Sequence, residues 1–127
     1  MDLYREEILD HYKHPRNFGS LTGADVISEE INISCGDHIF IEVRIKKDAK
    51  NKMRIADIRF HGEGCAIHQA SASLLTEKVM RMRTTDVMKL TLKDIETLLG
   101  VTLTISRVKC AVLPLEALQK AIQMYKK

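Results

Sequence analysis

The chain has 127 residues, 45% of them hydrophobic, with 20 basic and 17 acidic side chains, a formal net charge of +3 and three cysteines. That is enough for one domain spanning residues 1–127 whose core needs no disulfides, and three thiols cannot all pair within one chain. A membrane span is excluded by the lack of a long apolar run, and nucleic acid by interspersed charges and few aromatic rings; the charged start is unlike a signal sequence, so a cytoplasmic protein is expected.

The first predicted element is a helix from Asp2 to Lys13, capped by Asp2, with Leu3, Ile8 and Tyr12 near one face. His14-Pro15 breaks it, and His11 and His14 read as solvated. Ile27, Ile31 and Ile33 share one parity, which suggests a strand from Asp25 to Ser34 that ends at Cys35. After the Gly36-Asp37 turn, Ile39, Ile41, Val43 and Ile45 alternate with polar residues and Phe40, so the two segments read as a hairpin. A polar turn over 47–52 leads to a third strand, Met53 to His61, with Ile55 or Ala56, Ile58 and Phe60 inward.

Gly62-Glu63-Gly64-Cys65 then reads as a tight strand-to-helix bend, which places the Cys65 thiol near unpaired helix amides that favour the thiolate. Apolar spacing predicts a helix from there to about Met82. Thr91 with Asp94 marks the start of a short helix that Gly100 stops. Val101 to Ile105 is a strand or a connector, and the last helix runs from Leu115 to Tyr125 with Pro114 near its first turn.

Four potential ligands fall at element ends: Cys35, Asp37, Cys65 and Cys110. Their separations match no zinc finger or ribbon, and a single cysteine is more often a small buried residue than a ligand. Cys35-Gly36-Asp37 nevertheless lets a thiol and a carboxylate turn toward one ion, and Cys65 and Cys110 would complete a tetrahedron around Zn²⁺. His68, three residues after Cys65, offers a competing Cys65/His68 pair, while His38 and His61 read as solvated. Arg107 and Lys109 either lower the pKa of the Cys110 thiol or form a solvated basic helix edge.

Several stretches together resemble the NifU N-terminal, IscU and SufU family of iron-sulfur cluster assembly proteins over nearly the full length. They are Tyr4 with Asp10-His11-Tyr12 and Pro15-Arg16-Asn17, then Ser34-Cys35-Gly36-Asp37, then Gly62-Glu63-Gly64-Cys65 with Ala70-Ser71-Ala72-Ser73, and Arg107-Val108-Lys109-Cys110-Ala111. The resemblance implies an α+β fold, a small three-stranded antiparallel sheet packed by helices, with the cysteines meeting at one exposed end. Lys109 stands where the IscU branch has a histidine, and Leu103-Thr104-Ile105-Ser106 lacks that branch's chaperone motif. The ligand set Cys35, Asp37, Cys65 and Cys110 is SufU-like, although the insertion usual in SufU proteins is missing.

What the resemblance implies for function is a zinc-bound sulfur acceptor, a zinc-dependent sulfurtransferase that takes persulfide sulfur from a SufS- or IscS-like cysteine desulfurase. Its accepting thiol is Cys35 by SufU analogy and Cys110 by IscU analogy. The alternative is a scaffold on which Cys35, Asp37, Cys65 and Cys110 hold a transient [2Fe-2S] cluster for apo iron-sulfur acceptor proteins.

Overall fold

The computed structural model describes residues 3–126, so Asp2 lies outside it, as do the side chains of Leu3 and Tyr4. Helix α1 (Leu3–Lys13) is followed by strands β1 (Val26–Asn32), β2 (Asp37–Lys47) and β3 (Met53–Glu63). Helices α2 (Ala66–Val79), α3 (Thr84–Val87), α4 (Leu92–Leu99) and α5 (Ile105–Lys126) complete the described chain. The strands form one antiparallel sheet in the order β1-β2-β3. This is the expected α+β architecture.

Alternation explains the centre of the sheet. Ile39, Ile41, Val43 and Ile45 of β2 are buried together with Ile55, Ile58 and Phe60 of β3, and helices α2 and α5 cover that face with Ala70, Leu74, Leu75, Ala117, Leu118 and Ala121. Each fully buried isoleucine or leucine contributes about 1.5–3 kcal/mol from the removal of apolar surface from water. A register shift between Arg44 and Ile45 places Ile45 opposite Ile55 and Arg44 opposite Asp57. Ala56 is the extra residue, which settles the choice between Ile55 and Ala56 in favour of Ile55.

β1 departs from the sequence reading. Its isoleucines face outward: Ile27 and Ile31 are each 54% exposed and Ile33, beyond the strand end at Asn32, is 90% exposed. Ser28 and Asn32 point inward instead. Helix α5 passes close over β1, and the Ser28 hydroxyl donates to the Ala117 carbonyl at 2.6 Å, a contact a branched apolar side chain could not make.

The helices differ from expectation at their ends. In α1, Ile8 and His11 form the buried face while Tyr12 is exposed, because His11 packs on α2 and its Nδ1 shares a 2.7 Å hydrogen bond with the Ser73 hydroxyl. His14 is exposed, as expected. Helix α2 stops at Val79, where Met80 turns extended and Arg81 takes a left-handed φ of 69° so that the chain can pair with β3. The Thr91–Asp94 capping box and a left-handed Gly100 bound α4 as predicted. Helix α5 begins at Ile105 rather than Leu115, leaving Pro114 in its interior. Among the described residues no helix is long and apolar enough to cross a membrane.

Candidate metal centre

The turn between β1 and β2, the start of α2 and the second turn of α5 meet at one end of the sheet. Gly36 at φ 72° lets the turn close, with its N–H on the Asn32 carbonyl at 2.9 Å, and this aims Cys35 and Asp37 at the same space. Cys110 reaches that space from α5. One ligand atom each from Cys35, Asp37 and Cys110 lies within 4.8 Å of the others. The Cys65 thiol is outside this group. Cys65 is the N-cap of α2 and is joined to the cluster through its backbone N–H, which donates to Asp37 Oδ1 at 3.2 Å.

Burial grades the three thiols: Cys35 is exposed, Cys65 intermediate and Cys110 buried. Asp37 is fully buried, and its Oδ2 has no hydrogen-bond partner. A buried carboxylate oxygen without a donor is costly unless a cation approaches it. Two thiols beside one such carboxylate make a donor set suited to Zn²⁺, so the residues present fit that ion.

Burial pushes the Cys110 thiol far above its ordinary pKa, aided by its hydrogen bonds with Asp37 and Cys35 and by the charge of Cys65. Of the two readings of Arg107 and Lys109, the solvated basic helix edge is the one that holds, and neither lowers the Cys110 pKa. Both cations are exposed, and Cys110 faces inward on the same helix. A thiol that resists ionisation through burial is the kind that a bound metal ion would deprotonate.

His68 is 1% exposed, and its Nδ1 lies 3.3 Å from the Cys110 carbonyl. Burial lowers its pKa, opposed by the Asp37 carboxylate and the Cys110 carbonyl. Its nitrogens are not part of the clustered ligand atoms. His38 and His61 face outward, but each meets a carboxylate, Glu29 at 2.5 Å and Glu42 at 2.8 Å, so both are paired rather than simply solvated.

Gly64 was legible only as a bend. Its larger role is to leave space: a Cβ there would come within 2.4 Å of His68 Cδ2 and 2.6 Å of Asp37 Oδ1. Ser71, read from the sequence only as part of the Ala70–Ser73 stretch, has a further role: its hydroxyl donates to the Ala111 carbonyl at 2.5 Å. Little in the sequence marks these contacts, since the approach of Asp37 to Gly64 and of Ala111 to Ser71 spans elements tens of residues apart.

Residues 3–127 match the family model of the NifU-like N terminal domain. The chain is 36% identical to the zinc-dependent sulfurtransferase SufU of Bacillus subtilis, over 94% of this chain and 89% of that protein. It is 32% identical to the iron-sulfur cluster assembly scaffold protein IscU 1 of Archaeoglobus fulgidus, over 97% of this chain and 76% of the relative. The crystal structure of the SUF-system protein FiSufU from Fervidobacterium islandicum superposes with a TM-score of 0.70 at 27% identity, covering 92% of this chain and 94% of the other. With its sheet, its Cys35–Asp37–Cys110 cluster and these relatives in agreement, the chain belongs to the NifU-like N-terminal domain family.

Proposed function

We propose that this protein serves iron-sulfur cluster assembly as a zinc-held sulfur acceptor, receiving persulfide sulfur from a cysteine desulfurase on Cys35. The observation that carries this reading is the asymmetry of the cluster: Cys35 is its exposed thiol, yet shares a 4.8 Å group with buried Asp37 and Cys110. Asp37, Cys110 and Cys35 would hold the ion, with Cys65 as the fourth ligand once its side chain turns inward. When bound, zinc supplies the positive charge that keeps the thiols ionised.

Transfer is a thiol exchange. The Cys35 thiolate attacks the terminal sulfur of the desulfurase persulfide, a new S–S bond forms on Cys35, and the donor's S–S bond breaks. The electron pair leaves with the donor cysteine as its thiolate. Cys35 can move because it sits in a glycine-hinged turn, whereas Cys110 is fixed in a helix and Asp37 by the Cys65 N–H.

Cys35→Ala abolishes desulfurase stimulation on this reading, measured as cysteine-dependent sulfide or alanine release. Full stimulation by that variant would remove Cys35 from its role. The scaffold reading uses the same residues and is favoured by the similarity to IscU. Anaerobic reconstitution separates the two: a stable acid-labile sulfide content passed on to an apo-ferredoxin supports the scaffold, and a zinc-only protein that accepts sulfur supports the acceptor.

A further inference from the structure

The interior proline of α5 has a partner in α2. In an α-helix the N–H of residue 114 would donate to the carbonyl of residue 110, but Pro114 has no N–H and its ring crowds that carbonyl. The Cys110 carbonyl is thus left without its intrahelical donor, in a position that is 1% exposed. His68 Nδ1 lies 3.3 Å from this carbonyl oxygen. A carbonyl only accepts, so Nδ1 carries the proton.

We propose that His68 and Pro114 form one positioning device for the metal centre: proline releases the Cys110 carbonyl from its helix, and the imidazole captures it and fixes the orientation of Cys110 toward Cys35 and Asp37. The same turns of α2 supply the rest of the jig. The Cys65 N–H holds Asp37 Oδ1 at 3.2 Å, and the Ser71 hydroxyl holds the next carbonyl of α5, that of Ala111, at 2.5 Å. Residues 65, 68 and 71 recur at three-residue intervals, so one stripe of α2 aligns the carboxylate from β2 with the thiol from α5. His68 is a positioning residue in this scheme and not a ligand. Its ring edge at Cδ2 lies against the space left at Gly64, beside Asp37.

The inference rests on the reading of the site as a metal centre for its effect on metal, but the coupling of His68 to Pro114 can be measured without metal. His68→Leu keeps most of the volume and removes the donor; His68→Asn keeps a donor near the place of Nδ1. Zn²⁺ affinity, measured by chelator competition, falls about 10–100-fold in His68→Leu and is largely restored in His68→Asn, whose Co²⁺ absorption spectrum matches the wild type. In metal-free protein His68→Leu lowers the melting temperature by roughly 5 °C, and this loss disappears in the Pro114→Ala background, where the residue 114 N–H again reaches the Cys110 carbonyl. If His68→Leu folds only when combined with Pro114→Ala, the coupling is present in its strongest form.

Equal melting losses in both backgrounds, or failure of both to fold, overturn the inference. So does a His68→Asn variant that binds as weakly as His68→Leu with an altered Co²⁺ spectrum, which would make His68 a ligand. A wild-type protein that binds no Zn²⁺ would instead overturn the reading of the site, and the metal-free cycle would still decide the pairing.

Discussion

Gly64 shows how a single missing atom shapes this centre. Its substitution by alanine forces a Cβ into the His68 ring and the Asp37 carboxylate, whose nearest atoms would lie at 2.4 and 2.6 Å. Gly64→Ala is expected to cost about 1–3 kcal/mol of stability from overpacking, and to weaken Zn²⁺ binding because the displaced atoms belong to the site; urea denaturation and chelator competition measure the two effects. His11 gives a pH signature. Burial, with a smaller contribution from the Arg16 charge, lowers its pKa below the ordinary value of 6.5. The unfolded chain therefore takes up a proton that the folded chain resists. Stability from neutral His11 is complete above the unfolded pKa and is lost as pH falls from about 6.5 through the lower folded value. Melting temperature should drop over that interval. His11→Asn, which retains a partner for Ser73, should flatten the drop relative to wild type, leaving the part due to His68, whose shift has the same sign.

At the level of elements, legibility followed how local the determinant was. The alternation of β2 and the Thr91–Asp94 box of α4 are written in neighbouring residues, and both elements appear where the sequence puts them. β1 is different, because the parity of its isoleucines is overruled by the backbone of α5 lying against Ser28. Pro114 misled for a similar reason. A proline prefers the first turn of a helix, and only a donor from another element makes its interior place tolerable. Cys35, Asp37 and Cys110, candidates in the sequence, come together in the structure, but the position of the Cys65 thiol outside their group depends on how α2 docks. Ser28→Val tests the β1 packing. It leaves the Ala117 carbonyl without its side-chain donor and adds a branched group under α5, so a loss of about 1–3 kcal/mol is expected by urea denaturation; an unchanged midpoint would mean that α5 is not tightly seated on the strand.

Across the whole molecule, the apolar core and the candidate metal centre are separable. Buried side chains from β2, β3, α2, α4 and α5 form a continuous cluster, whereas Cys35, Asp37 and Cys110 gather at the sheet end. Chelation is therefore expected to leave the circular dichroism spectrum and a cooperative transition in place. It should lower stability, and with it the melting temperature, only through the linkage contribution, about 2.7 kcal/mol when free metal stands at 100 times its Kd. Complete unfolding on chelation, with desulfurase stimulation unaffected, would mark the ion as purely structural. The sheet borders carry a different consequence. Along β3, the Asn17 carbonyl and Gly19 N–H bond to Phe60, and Arg81 and Met82 bond to Ile55 from the other end. Along β1, Lys120 Nζ reaches the Glu29 carbonyl at 2.9 Å while α5 lies alongside. Strand edges closed in this way offer little template for pairing with another chain. On the proposed acceptor role, the exposed Cys35 thiol would meet its sulfur donor at the sheet end, away from these bonded flanks.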